Sequence, residues 1–182
     1  MGWIDEDLVE PIHAYSFFSV SPTGEIHEQL IYEYLDHDGY YAQVFADDDM
    51  YQREVSKLWE NMQYYLDRER VEINGQRVYS RVSHVDVFPK GPTSVVAAVF
   101  IIDFKGEFRI GRNTIETWLD EEDAPYDFEI IWRFPVGSRV VDIDTLLDHE
   151  IRDDIVILWA VEGQHVGGYE KMVFEIIAAE GE

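Results

Sequence analysis

Val95-Val96-Ala97-Ala98-Val99-Phe100-Ile101-Ile102, followed by Asp103-Phe104-Lys105-Gly106-Glu107-Phe108-Arg109-Ile110, decides the fold. The first eight residues are apolar without interruption, the pattern of a central strand covered on both faces. Lys105-Gly106 then marks a turn, and Phe108 and Ile110 alternate with Glu107 and Arg109 as a half-buried strand does. Neighbouring strands joined by a short turn run antiparallel.

The same grammar recurs on either side. Pro-x-Gly occurs at Pro22-Thr23-Gly24, Pro89-Lys90-Gly91 and Pro135-Val136-Gly137. Proline presets φ at the second turn position and glycine takes the left-handed conformation that closes the loop. Asp38-Gly39 and Asn74-Gly75 are two-residue hairpin signals, and Glu162-Gly163 is a further turn. Between them the strands fall at about 13–20, 26–36, 40–45, 70–73, 76–88, 94–104, 107–112, 127–134, 138–143, 155–161 and 165–177. Residues 155–161 form a second apolar run, expected to be central. Phe128, Ile130, Trp132 and Phe134 alternate with charged neighbours, and Gly167-Gly168 inside a strand pattern reads as a bulge.

One segment breaks the pattern. Tyr51, Val55, Leu58, Trp59, Met62, Tyr65 and Leu66 recur at steps of three and four and share a helical face. Asp47, Asp48 and Asp49 stand at its start, where carboxylates cap free N–H groups, and Arg68 and Arg70 at its end. This predicts one long helix over 48–69. Asp144 is a candidate cap for a short helix at 144–150, and 113–126 reads as a helical turn or strand end followed by an acidic loop. The expected fold class is α+β. A large, mostly antiparallel twisted sheet, barrel- or sandwich-like in its second half, is packed by the long helix within a single domain over 1–182. Any lobe break falls near Gly91-Pro92.

The charge bounds the partners. The chain holds 38 Asp and Glu against 14 Lys and Arg, a net charge of −24 over 182 residues, spread evenly between its halves. Nucleic-acid affinity comes mainly from cations neutralising phosphates, so direct DNA or RNA binding is not expected, nor is an anionic membrane surface. Three explanations of the acidity remain: adaptation to high intracellular salt, complementarity to a basic protein partner, or a decoy presenting phosphate-like charge to a nucleic-acid-binding protein. Cysteine is absent, which removes disulfides, thiolate metal sites and cysteine nucleophiles. The acidic start is unlike a signal peptide, so a cytoplasmic protein is expected. A strand edge with surface aromatics is compatible with a homodimer.

Motifs for chemistry are sparse. The six histidines make no His-x-x-x-His pair, and Asp36-His37-Asp38 is explained by a turn as well as by a metal. No metal or cofactor is expected. His84-x-Asp86 places an imidazole and a carboxylate on one strand face, the spacing of an acid–base pair or of a solvent-facing ladder. Arg70, Arg77 and Arg81, with Arg68, form the basic cluster that could grip a small anion or pair with Asp67, Glu69 and Glu72. Eight of eleven tyrosines lie in the first 65 residues, and Tyr32, Tyr34, Tyr41 and Tyr65 are candidates to line a cleft or pack a core. Two classes of function follow. The first is a non-enzymatic interaction or regulatory protein binding a basic partner. The alternative is a small-molecule-binding domain or enzyme using the tyrosine-rich cleft.

Overall fold

The computed structural model describes residues 9–92 and 94–177. Twelve strands and two helices follow one another among them. Strands β1 (Glu10–Val20) and β2 (Glu25–Leu35) form the first hairpin, and helices α1 (Tyr40–Ala46) and α2 (Asp48–Leu66) follow. Next come β3 (Arg70–Ile73), β4 (Gln76–Val78), β5 (Arg81–Pro89), β6 (Val95–Lys105) and β7 (Gly111–Asp123). The chain continues through β8 (Phe128–Arg133), β9 (Arg139–Asp144), β10 (Asp148–Arg152), β11 (Ile155–Ala160) and β12 (His165–Ile176).

These strands make two open sheets. The larger has the order β10-β11-β8-β1-β2-β6-β5 and the smaller β4-β3-β7-β12-β9. Every pairing is antiparallel except β1 with β8. The α+β class and the antiparallel bias hold. Neither sheet closes on itself, so the expected barrel does not form. Gly91-Pro92 lies in the β5–β6 connection, whose two strands pair along their length.

Register explains how the layers assemble. In the larger sheet Val20↔Ile26, Ser16↔Leu30, Tyr32↔Ala98 and Val85↔Phe100 stand opposite one another, so their side chains share a face. At one end this face packs on the helices: Leu58, Met62 and Leu66 of α2 join Val82, Val96, Phe100 and Ile102. At the other end it meets the smaller sheet: Ile26, Phe104, Trp132 and Val156 join Ile73, Ile115, Met172 and Phe174. Gly24 and Gly106 let the two layers close. Gly106 donates its N–H to the Gly24 carbonyl at 3.0 Å. A Cβ on Gly106 would stand 2.4 Å from the Ile73 side chain, and one on Gly24 1.9 Å from the Gly106 carbonyl oxygen.

Several local expectations change. There are two helices, and α2 stops at Leu66, three residues short of the expected end. Residues 40–45 form helix α1, not a strand. The Asp36 carboxylate accepts the N–H groups of Tyr40 and Tyr41, each at 2.9 Å, and Gly39 sits at φ 71°, so Asp38-Gly39 starts a helix and makes no hairpin. Residues 107–110 are not a strand, because the Asn113 side chain binds the Arg109 N–H and carbonyl and folds the segment back on itself. Strand β7 instead occupies Gly111–Asp123, through the ambiguous stretch. Where a helix was expected at 144–150, β10 pairs with β11. Strand β11 is covered on one face, and Trp159 on the other is 37% exposed. Asn74-Gly75 closes the β3–β4 hairpin with both φ angles positive, as its sequence demands.

No helix among the described residues is long and apolar enough to cross a membrane.

Candidate functional site

The inner faces of the two sheets do not meet everywhere. Near the C-terminal end of α2 they leave a cavity of about 430 Å³. Its wall on the larger sheet includes Ser16, Phe18, Glu28, Ile130 and Trp132; its wall on the smaller sheet includes Val71, Ile115, Thr117, Glu170 and Met172. Met62, Tyr65, Leu66 and Glu69 close it from the helix end and the connection to β3. Phe18 and Trp132 stack face to face, ring centroids 3.8 Å apart, and present a rigid aromatic plate.

Three carboxyls interrupt this apolar lining. Glu28 lies on the inward face of β2 between Ile26 and Leu30, and one of its oxygens accepts a 2.6 Å hydrogen bond from Ser16 Oγ. Glu69 precedes β3 in the alternation that turns Val71 and Ile73 inward. Glu170 faces in from β12 and accepts from Thr145 Oγ1 at 2.5 Å. Enclosure by protein makes the ionised forms costly. Burial pushes Glu28 up to about 7, against the lowering hydrogen bond from Ser16 and with a further push from the charge of Glu69. Burial alone pushes Glu69 up to about 7, and Glu170 is raised by the same cause against its bond from Thr145. Glu28 and Glu69 nonetheless keep some accessible surface, because what they face is the cavity itself. Two carboxyls poised near neutrality, Glu28 on β2 and Glu69 on the approach to β3, can accept a positive group or pass a proton.

The residues singled out from sequence divide. Tyr32 and Tyr65 line the cavity. Tyr34 and Tyr41 are 1% and 0% exposed and pack in the core under α1 and α2, where the Tyr41 hydroxyl donates to Glu54 at 2.8 Å. Arg70 alternates with inward Val71 and so lies on the outer face, 2.7 Å from Glu72 and 4.1 Å above the Trp118 ring. Arg77 donates to the Glu69 backbone carbonyl at 3.2 Å, and its guanidinium lies 5.2 Å from the Tyr79 ring. Arg81 is exposed at the start of β5. A bulge between Val82 and His84 leaves His84 exposed, while Asp86 accepts the Tyr51 hydroxyl and its neighbour's N–H. Asp36 is spent on capping α1, and no group of three or more His, Asp or Glu able to hold a metal ion occurs among the described residues.

Glu28, Glu69 and Glu170 were not among the sequence candidates. The signal existed for Glu28. It occupies an inward position in Ile26-x-Glu28-x-Leu30-x-Tyr32-x-Tyr34, a charge where the strand's alternation calls for an apolar side chain.

No family model and no curated protein matches this chain. Among solved structures it is similar to an aminopeptidase N family protein from Idiomarina loihiensis, at 8% identity and a TM-score of 0.36. That likeness covers 88% of this chain and 29% of the other, and it is too slight to bear on fold or function.

Proposed function

We propose that the protein binds a small organic molecule in the cavity between its two sheets. One observation carries the proposal: a space of about 430 Å³, walled by aromatic and aliphatic side chains, into which a few polar groups converge. Ligand pockets typically span about 300–1,000 Å³ and have this mixture of apolar wall and sparse polar anchors.

Titration with a panel of small aromatic and aliphatic compounds, followed through the indole signal of Trp132, tests the proposal. At least one class should give saturable one-to-one binding, and the space-filling substitution Thr117→Trp should abolish it. Saturable binding that survives Thr117→Trp would place the ligand elsewhere and sink the proposal.

A second reading rests on the net charge of −24: an acidic surface that meets a basic protein partner. Capture from source-cell extract at low and high salt tests it, with a stoichiometric basic partner that salt elutes as the supporting result.

A further inference from the structure

We propose that the ligand of the inter-sheet cavity is an organic cation with a ring-sized apolar body, its positive group held between Glu28 and Glu69 and its body against the Phe18–Trp132 plate. The inference rests on the cavity being the binding site and adds the chemistry of what enters it.

The state of the carboxyls calls for a cation. Other enclosed carboxylates have donors on both oxygens: Asp36 caps α1 and Glu54 accepts two tyrosyl hydroxyls, while Glu170 has a single donor, Thr145. Among the described residues, Glu28 has one partner, Ser16, on one oxygen, and the Glu69 carboxyl has none. An enclosed carboxylate without a cation is costly, and proteins normally pair it. Here no lysine or arginine bridges the two, so a ligand cation would supply the missing charge.

The charges lining the cavity are mostly negative. Besides the three inward carboxyls, its rim carries Asp120 and Glu122 from β7, Glu129 from β8 and Asp144 from β9. The cations on the lining are Arg68 and Lys171, and the Arg68 guanidinium sits 3.8 Å over the Tyr64 ring. Seven carboxyls against two cations repel a phosphate or carboxylate ligand and favour a positive one.

The surroundings suit an organic cation better than a metal ion. Hard cations want six or more oxygens at about 2–2.6 Å. The described residues offer no such cluster. Aromatic faces beside anionic groups are instead the surroundings in which ammonium and quaternary ammonium groups are recognised.

Two probes of one shape isolate the charge. Phenyltrimethylammonium and tert-butylbenzene differ in whether the central atom is a charged nitrogen or a carbon. Binding of each is followed through the Trp132 indole signal at about pH 8.5, where Glu28 and Glu69 are ionised. The cation should bind at least about tenfold more tightly, roughly the worth of one desolvated cation–π contact or charge pair. That preference should shrink to about threefold or less in the Glu28→Gln, Glu69→Gln double variant. On the unmodified protein at about pH 5 it should shrink likewise, so the result does not depend on the variant folding. Equal affinity for the two probes would overturn the charge inference and leave the cavity reading standing. A preference that persists in the double variant and at low pH would put the cation on the acidic exterior and also overturn it. No binding by either probe, with no binding across the compound panel, would remove both.

Discussion

Glu54 is 5% exposed and accepts the hydroxyls of Tyr40 at 2.9 Å and Tyr41 at 2.8 Å, tying α1 to α2 through one side chain. Removing an acceptor from a buried donor costs the donor's desolvation, about 1–3 kcal/mol. Glu54→Ala strips the Tyr41 hydroxyl of its acceptor and leaves a void, so it should cost about 2–3 kcal/mol in urea unfolding. A loss below half a kcal/mol would mean that α1 is held by its apolar side chains alone. Glu28 and Glu69 predict the opposite kind of effect. Each has a folded-state pKa near 7, above its usual value of 4.5, so folding takes up protons. Their stabilising contribution is complete below about pH 4.5 and disappears as pH rises through 7. Each group then costs on the order of 1 kcal/mol per pH unit within that window. The Glu28→Gln, Glu69→Gln variant loses this dependence, so its stability relative to the parent should climb from pH 5 to pH 8. A difference that stays flat across that range would show that the two carboxyls are no more enclosed than in the unfolded chain.

At the scale of elements, legibility followed periodicity. Helix α2 was readable because its apolar spacing and its acidic start agree: the Asp47 side chain accepts the Met50 N–H at 2.9 Å, with Asp48 and Asp49 in the first turn. Asp47→Ala should therefore lower stability by about 1 kcal/mol without moving the helix, and Asp47→Ser should restore most of it, by thermal melting. If alanine costs nothing, the cap is made by water. Helix α1 was not readable, because Tyr40-Tyr41-Ala42-Gln43-Val44-Phe45-Ala46 has strand-like composition and only seven residues. What makes it helical is Asp36, four and five residues upstream, an anchor visible only once β2 ends at Leu35 and turns the carboxylate back. The segment before β7 failed for a similar reason, since one Asn113 side chain outweighs the alternation of Phe108 and Ile110. The cavity was the least legible element. Its carboxyls come from β2, β3's approach and β12, some 40 to 140 residues apart in sequence, and only the facing of two sheets brings them to one space. Tyr32 and Tyr65 were found because aromatic density is local; Glu69 was read only as a partner for arginine.

For the whole molecule, the excess of 38 acids over 14 bases must be carried somewhere. Some is neutralised locally, as where Arg139 meets Glu175 at 3.0 Å, Arg152 meets Glu150 at 2.8 Å and His165 bridges Glu121 and Asp123. Such exposed pairs contribute little each, about 0–1 kcal/mol, and fourteen cations cannot reach thirty-eight carboxyls. The remainder repels itself across a compact body, and that repulsion is what salt screens, over about 10 Å at 0.1 M and about 3 Å at 1 M. If the acidity is an adaptation to a salty interior, folding should depend on that screening. The melting temperature should then rise by several degrees between about 0.02 M and 1 M sodium chloride, most of it below about 0.3 M, where screening changes fastest. Potassium and sodium should act alike, because screening depends on ionic strength and not on a fitted ion site. A melting temperature that does not move across that range would mean that the surface tolerates its own charge at low salt. The acidity would then be better explained by a basic partner, whose capture at low salt and release at high salt would account for the same −24.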